Sequence, residues 1–295
     1  MTIDGQDLSL HLWVEEKFRG FLAQKYRVKR SIFSEKSPFQ KVDVVETEGH
    51  GLMLLLDGMV MLSERDEFVY HDMISHVPLF IHPNPKRVLV IGGGDGGTIR
   101  EVLRHVAVER AWMVEIDGMV VDVCRRYLPV TSCALDDPRL TLLIEDGVKF
   151  MAETEERFDV VLIDSTDPVG PAKPLFGEAF YRNVHRVLNP DGIAIAQGES
   201  PFYDRDVQRG ILQSMSASFP RLHMYNYSNL TYPGGLWTFV YASKGLCPLG
   251  DFDPGRIAAA GLEFRYYNQA LHRGAFALPQ FQLQAFQDYL SAFKS

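Results

Sequence analysis

The sequence predicts an α/β protein in which a small β domain precedes a doubly wound, mainly parallel sheet. Three observations support this prediction. Apolar and polar residues alternate in the N-terminal region, short continuous apolar runs separated by helical patterns begin at Arg87, and Pro83 and Pro85 interrupt the chain between the two regions. We therefore expect a β-rich domain with a linking helix over residues 1–82 and the α/β domain over residues 83–295.

The N-terminal region contains strand and hairpin patterns. Residues 26–33 and 41–47 alternate between apolar and polar side chains, as half-buried strands do. The apolar runs 52–56 and 59–62 flank Asp57-Gly58, a dipeptide that favours a type I′ hairpin turn. A helical pattern from Glu67 to Ile81 predicts the linking helix.

From Arg87 onward the pattern predicts alternating strands and helices. The predicted strands are Val88–Ile91, Trp112–Ile116, Leu140–Ile144, Val160–Ile163 and Ile193–Ala196, with two more near 222–227 and 238–243. The predicted helices include Thr98–Arg104, Met119–Tyr127, Gly147–Glu153 and Glu178–Leu188. Continuous apolar strands that alternate with helices indicate a parallel sheet covered on both faces.

Composition is typical of a soluble globular protein. The chain has 295 residues, 46% of them hydrophobic, and a formal net charge of −8. No apolar run reaches the roughly 20 residues that span a bilayer, and no secretory signal is recognisable, so we expect no membrane partner. The three widely spaced cysteines suit a reducing, cytoplasmic location. The lack of a basic stretch weighs against a nucleic-acid partner.

A glycine-rich loop follows the first predicted strand of the α/β domain. Gly92, Gly94 and Gly97 have the G-x-G-x-x-G spacing that lets a backbone approach an adenosine-containing ligand closely. Glu115 ends the next predicted strand, where an acid suits both ribose hydroxyls. These features fit dinucleotide enzymes and adenosylmethionine enzymes equally.

Two further acids favour the adenosylmethionine class. Asp146 follows the third predicted strand and Asp164 ends the fourth. A nicotinamide site does not need acids at the ends of so many strands. In adenosylmethionine enzymes the third acid characteristically binds the adenine amino group. The sequence therefore predicts the Rossmann-like fold of adenosylmethionine-dependent methyltransferases for the second domain.

Asp95, inside the glycine loop, indicates which donor is used. A methyltransferase holds the methionine carboxylate of its cofactor in this region, and two like charges about 4 Å apart repel by on the order of 4 kcal/mol at an effective dielectric constant of 20. The same aspartate attracts the bare ammonium of decarboxylated S-adenosylmethionine. We therefore expect Asp95 to select the decarboxylated donor; the alternative is that it only caps the loop by accepting backbone hydrogen bonds.

Several segments together resemble the spermidine synthase (polyamine aminopropyltransferase) family. They are GGGDGG (92–97), SERDEFVYHDM (63–73), MVEID (113–117), DSTDPVGPA (164–172), AQGE (196–199), TYPGG (231–235) and RYYNQALHRGAFALP (265–279). They occur in the order and spacing of that family and cover nearly the whole chain. DSTDPVGPA is the most specific segment, and it resembles the gate that closes over both substrates in the family.

The resemblance implies roles for individual residues. Asp164 matches the catalytic base. The positions that match the amine site and its walls are Tyr70, His71, Asp167, Gln197 and Tyr232, and Asp95 matches the contact to the aminopropyl group. The positions that match contacts to the nucleoside part of the donor are Gln40, Glu115, Asp146, Gly147 and Pro171.

The implied reaction moves an aminopropyl group from decarboxylated S-adenosylmethionine, a co-substrate and not a cofactor, to putrescine, giving spermidine and methylthioadenosine. Agmatine, cadaverine and spermidine remain alternative acceptors, because Met61 and Asn229-Leu230 depart from the family pattern near the expected amine pocket. A methyltransferase is the alternative of another class. We expect no metal, since the histidines lack partners at metal-ligand spacing in the sequence, and a homodimer or homotetramer.

Overall fold

The computed structural model describes residues 12–166 and 170–293, with Gly170 and Pro171 described by their backbone alone. The chain divides into two compact units, Met1–Asp66 and Glu67–Ser295. The helix over Glu67–Ile81, predicted to be a linker in the first domain, is therefore part of the second unit. The reason is its packing: Met73, Ile74 and Val77 are fully buried in the larger unit's core.

The first unit is an antiparallel sheet whose five strands follow one another in sequence order. The strands are β1 (Leu12–Phe18), β2 (Leu22–Lys36), β3 (Lys41–Thr47), β4 (Gly51–Leu56) and β5 (Met59–Ser63). At the turn between β4 and β5, Asp57 has φ 50° and Gly58 has φ 82°. Both angles are left-handed, as a type I′ turn requires, so the predicted hairpin is confirmed. The sequence analysis did not predict β1.

The second unit is built on a seven-stranded sheet in the order β11-β12-β10-β9-β6-β7-β8. Its strands are β6 (Arg87–Gly92), β7 (Arg110–Glu115), β8 (Leu140–Ile144), β9 (Phe158–Asp164), β10 (Leu188–Gln197), β11 (Arg221–Ser228) and β12 (Leu236–Ser243). Strands β6 to β10 pair in parallel, whereas β12 runs antiparallel to both β10 and β11. The predicted α/β class with a mainly parallel sheet is confirmed.

Helices cover both faces of this sheet. They are α1 (Glu67–Ile81), α2 (Gly97–Arg104), α3 (Gly118–Tyr127), α4 (Pro129–Ser132), α5 (Gly147–Glu153), α6 (Glu178–Val187), α7 (Arg205–Ser216), α8 (Gly255–Ala260), α9 (Gln269–Ala275) and α10 (Gln280–Phe286), with a 3₁₀ helix over Gly170–Phe176. Two separate hydrophobic cores result, one on each face of the sheet. Within the described ranges, no helix has the length and apolar character needed to cross a membrane.

The strand order determines where a ligand site can form. Strand β6 lies between β7 and β9, so the chain continues to one side of β6 first and later returns to the other side. A crevice opens at such a reversal, beyond the carboxyl ends of the strands. Gly92 is in register with Asp164 there, and Glu115 ends the neighbouring strand.

Candidate active site

Asp164, the last residue of β9, lies at the centre of the crevice. The Tyr70 hydroxyl donates a hydrogen bond to Oδ1 at 2.8 Å, and the Thr98 hydroxyl donates one to Oδ2 at 2.6 Å. Burial raises the pKa of the Asp164 carboxyl, and the nearby charge of Asp95 raises it further; His71 and the two hydroxyl donors act in the opposite direction. Two fixed donors thus orient this carboxylate, while a raised pKa makes it a better proton acceptor.

His71 is buried between two carboxylates. Its Nδ1 lies 2.6 Å from Oε2 of Glu67, and its Nε2 lies 3.3 Å from Oδ1 of Asp95. Burial disfavours the imidazolium, but Asp95 and Glu67 outweigh that effect and raise the pKa of His71 to about 10. The ring is therefore a fixed cation at neutral pH. A Cβ atom at Gly97 would collide with this ring, which explains a glycine at the start of α2.

The geometry around Asp95 is compatible with both roles considered from the sequence, which are capping of the glycine loop and attraction of the donor's ammonium. Its Oδ1 accepts a hydrogen bond from the Gly97 N–H at 2.8 Å, so the carboxylate does cap the glycine loop. It is also partly accessible, and one of its oxygens lies within 4.8 Å of an oxygen of Asp164. When both acids are ionised, the group formed by His71, Asp95 and Asp164 has two carboxylates and one imidazolium. Its net charge is then −1.

Two of the predicted nucleoside contacts lie at or just after the carboxyl ends of β7 and β8. Glu115 is buried at the end of β7, where its Oε1 accepts a hydrogen bond from the Asp117 N–H at 2.8 Å. Burial raises the pKa of Glu115 to about 7, with added contributions from Asp117 and Asp164. Asp146 is exposed and caps α5 by accepting the Val148 N–H at 2.8 Å.

Four further predicted nucleoside positions are three glycines and one residue of the first unit. Gly92 ends β6 with a left-handed φ of 84°, and Gly94 lies in the loop that follows. An added Cβ at Gly147 would meet the Ile91 side chain at 2.7 Å, so the start of α5 packs closely on β6. Gln40 belongs to the first unit, where its N–H donates to the Ser37 hydroxyl at 3.1 Å.

A second buried polar group follows the end of β10. The Gln197 amide donates to Oε1 of Glu199 at 2.9 Å, and its oxygen accepts the Glu199 N–H at 2.6 Å. Glu199 is fully buried and has a left-handed φ of 60°, a conformation that costs energy outside glycine. The Tyr232 ring lies 6.2 Å from the Tyr70 ring, so the predicted amine-site residues Tyr70 and Tyr232 are neighbours.

Two predicted positions cannot be placed by their side chains. Asp167, with the tip of the predicted gate, lies outside the described residues, and Pro171 is described only as backbone of the 3₁₀ helix. Their roles stay predictions.

The sequence analysis missed a buried network of charges behind His71. Glu67 accepts a hydrogen bond from Arg100 Nη2 at 2.8 Å, and Arg100 Nε donates to Oε1 of Glu101 at 2.7 Å. Glu101 Oε2 lies 3.0 Å from His76 Nε2. Although burial would raise the pKa of Glu67, His71 and Arg100 hold it at about 2. The four-residue spacing of Glu67 and His71 in SERDEFVYHDM was the one available signal.

In the structure, three histidines each lie beside two carboxylates. The groups are His71 with Asp95 and Asp164, His76 with Asp72 and Glu101, and His82 with Asp159 and Asp191. The spacing argument against a metal therefore does not hold: Asp72 lies four residues before His76 on α1, and the other carboxylates of these groups come from distant segments. A protonated His71 has no lone pair for a metal ion, however, and the expectation of no metal stays a prediction.

Comparison with known proteins identifies the family. Residues 67–253 match the family model described as the spermine/spermidine synthase domain, and residues 12–64 match the one described as the spermidine synthase tetramerisation domain. The chain belongs to the spermidine synthase family. The predicted family is confirmed, and with it the expectation that this chain is an aminopropyl-transferring enzyme.

Individual relatives agree with this assignment. The chain is 46% identical over 279 residues to the polyamine aminopropyltransferase of Methanocaldococcus jannaschii, covering 93% of this chain and 95% of that protein. It is 47% identical over 272 residues to the polyamine aminopropyltransferase of Caldicellulosiruptor saccharolyticus, covering 92% and 97%.

Solved structures show the same fold. A spermidine synthase in complex with the transition state analogue AdoDATO has a TM-score of 0.93 and 42% identity, covering 95% of this chain and 96% of that one. The spermidine synthase of Thermotoga maritima has a TM-score of 0.91 at 42% identity, covering 95% of each chain.

Proposed function

We propose that this enzyme transfers the aminopropyl group of decarboxylated S-adenosylmethionine to putrescine, giving spermidine and methylthioadenosine. The observation that carries the proposal is the Asp164 carboxylate, which is held by the hydroxyls of Tyr70 and Thr98 beside the buried His71–Asp95 pair. A base with a raised pKa in a carboxylate-rich crevice suits a reaction between two cationic substrates.

The reaction is a displacement at carbon. The nitrogen of the amine forms a bond to the aminopropyl carbon next to the sulfonium, and the carbon–sulfur bond breaks. The sulfur keeps that bond's electron pair and leaves as a neutral thioether, so the leaving group needs no acid. The attacking nitrogen must lose a proton, and in this proposal Asp164 accepts it.

Proton transfer from an alkylammonium to a carboxylate is unfavourable in water, because the pKa of the ammonium is near 10 and that of the carboxyl is near 4. Burial and the charge of Asp95 raise the pKa of Asp164 and so reduce the mismatch from the enzyme's side. The sulfonium charge of the donor lowers the pKa of the bound amine. Holding the two substrates in line supplies a further part of the rate.

The charge balance of the crevice supports the decarboxylated donor. Asp95 and Asp164 together exceed the single cation His71 by one negative charge. That excess attracts the ammonium and sulfonium of the decarboxylated donor, whereas the carboxylate of intact adenosylmethionine would be repelled. Glu115, Asp146 and Gly147 would hold the nucleoside beyond the ends of β7 and β8, and no further cofactor is needed for this chemistry.

We also propose that the enzyme assembles as a homo-oligomer, either a dimer or a tetramer. The match of residues 12–64 to the tetramerisation-domain model supports this proposal. Strand β1 is an edge of the first unit's sheet and exposes more than half of the Leu12 and Trp13 side-chain surface. An exposed apolar edge strand is typical of an interface between chains.

The test is release of methylthioadenosine from decarboxylated or intact adenosylmethionine with putrescine, cadaverine, agmatine and spermidine as acceptors. We expect release only from the decarboxylated donor, with the highest kcat/KM for putrescine. One extra methylene in a fitted pocket typically changes the free energy by about 1–3 kcal/mol, so cadaverine should be disfavoured by roughly tenfold or more. A higher kcat/KM for agmatine or spermidine would refute putrescine, and methyl transfer from the intact donor would refute the donor assignment.

A further inference from the structure

Tyr227, near the end of β11, has a hydroxyl that is buried without a hydrogen-bond partner among the residues that the structure describes. The side chain is 2% exposed. Tyr225 lies two residues earlier, on the same face of the strand, and differs in this respect: its hydroxyl donates to the Met73 carbonyl oxygen at 3.0 Å. Buried polar groups are nearly always paired, so the Tyr227 hydroxyl requires an explanation.

The surroundings of Tyr227 place it beside the catalytic group. Its ring stands edge-on to the Tyr70 ring at 5.9 Å and stacks on Phe239 at 4.7 Å. The Tyr70 hydroxyl is one of the two that donate hydrogen bonds to Asp164. Burial raises the pKa of Tyr227 well above its ordinary value, and nearby Tyr232, Glu199 and Asp164 add to the rise. The hydroxyl therefore lies within electrostatic reach of Asp164 and of the fully buried Glu199.

This environment suits a cationic hydrogen-bond donor. An alkylammonium carries three N–H donors and no acceptor, and a tyrosine oxygen has lone pairs to receive one of them. Neutral apolar groups would leave the hydroxyl unpaired. Negative charge from Asp164 and Glu199 further favours a cation at this position.

We propose that Tyr227 is a specificity-determining residue that accepts a hydrogen bond from the far ammonium of the diamine acceptor. The inference rests on the proposed function and deepens it. While Asp164 receives the proton of the reacting nitrogen, Tyr227 binds the nitrogen that does not react. A monoamine of the same carbon length cannot make this contact and leaves the hydroxyl unpaired, so the enzyme discriminates against it.

The test compares putrescine with n-butylamine in the wild type, Tyr227→Phe and the matched control Tyr225→Phe. In Tyr227→Phe we expect kcat/KM for putrescine to fall by about 10- to 100-fold, mainly through KM, with n-butylamine changed by less than about threefold. Its melting temperature should not fall, because the lost hydroxyl has no hydrogen-bond partner in the part of the chain that the structure describes. Tyr225→Phe should lower the melting temperature and keep the preference for putrescine, because it removes a structural hydrogen bond.

Three results would overturn the inference. The first is a ratio of kcat/KM for putrescine to kcat/KM for n-butylamine that is the same in Tyr227→Phe as in the wild type. The second is an equal loss for both amines, which would indicate a structural role. The third is a decrease in this kcat/KM ratio in Tyr225→Phe that is as large as the decrease in Tyr227→Phe. If the wild type releases no methylthioadenosine with any amine, the proposed function itself fails, and this inference fails with it.

Discussion

Affinity for the nucleoside part of the donor should depend on pH through Glu115. Burial raises the pKa of this carboxyl to about 7 in the free enzyme. Ribose hydroxyls donate hydrogen bonds, and such bonds stabilise the ionised carboxylate over the protonated acid. Protonation below pH 7 therefore opposes binding, and affinity should rise as the pH rises through the pKa.

The size of the effect follows from the pKa. At about one pH unit above a pKa of about 7 the carboxyl is roughly nine-tenths ionised, and at one unit below it is roughly one-tenth ionised. If only the ionised form binds well, the dissociation constant should increase about tenfold between pH 8 and pH 6. An unperturbed glutamate, with its pKa near 4.3, would produce almost no change over this range.

The assay is calorimetric titration with methylthioadenosine, which lacks the amine of the donor and so isolates the nucleoside contacts. Glu115→Gln should bind more weakly at pH 8 and show no dependence between pH 6 and pH 8. Asp146→Asn is the matched control, since it removes a second predicted nucleoside contact but should keep the pH dependence of the wild type. A flat profile in the wild type, or the same slope in Glu115→Gln, would refute the reasoning.

Three substitutions test the charged groups of the crevice. Asp164→Asn should lower turnover by about 10²–10⁴-fold in a methylthioadenosine-release assay, because the amide cannot accept the proton, while affinity for the uncharged methylthioadenosine is kept. Asp95→Asn can still accept the Gly97 N–H, but it loses the negative charge. Its calorimetric preference for the decarboxylated over the intact donor should narrow by roughly tenfold or more. Glu67→Gln removes a buried partner of His71 and should lower the free energy of unfolding by about 3–5 kcal/mol in urea titration at pH 7.

Each of these expectations has a contradicting result. Turnover of Asp164→Asn close to that of the wild type would remove Asp164 from the mechanism, and an unchanged donor preference in Asp95→Asn would place the discrimination elsewhere. For Glu67→Gln the control is Glu156→Gln, which breaks the exposed pair with Arg87 and should cost less than about 1 kcal/mol. Equal losses in these two variants would contradict the importance of the buried network.

The elements of the second unit could be predicted from the sequence because local pattern encodes them. The predicted strand Leu140–Ile144 and helix Gly147–Glu153 have the same bounds in the structure. The apolar runs bury on both faces of the sheet, which is why they lack alternation. Strand β1 was not predicted. Its first residues, Leu12 and Trp13, are both apolar and both exposed, so the sequence of this strand does not alternate between a buried and an exposed face.

The acids of the crevice were also predictable, since each ends a strand or follows one. Parallel strands place their carboxyl ends along one edge, so acids there come together whatever the details of packing. Partners within the site were not predictable in this way. Tyr70 is 94 positions from Asp164 along the chain, and Thr98 is 66 positions from it.

By itself the sequence determined the class of fold, the hairpin at Asp57-Gly58 and the row of acids, because periodicity, turn chemistry and strand ends are local properties. The family likeness determined the reaction class. Only the tertiary structure decided that α1 belongs to the larger unit, that Asp95 meets His71, and that the Tyr227 hydroxyl has no partner among the described residues. Those facts depend on which distant segments meet, and that is set by strand order and helix packing, which no local pattern records.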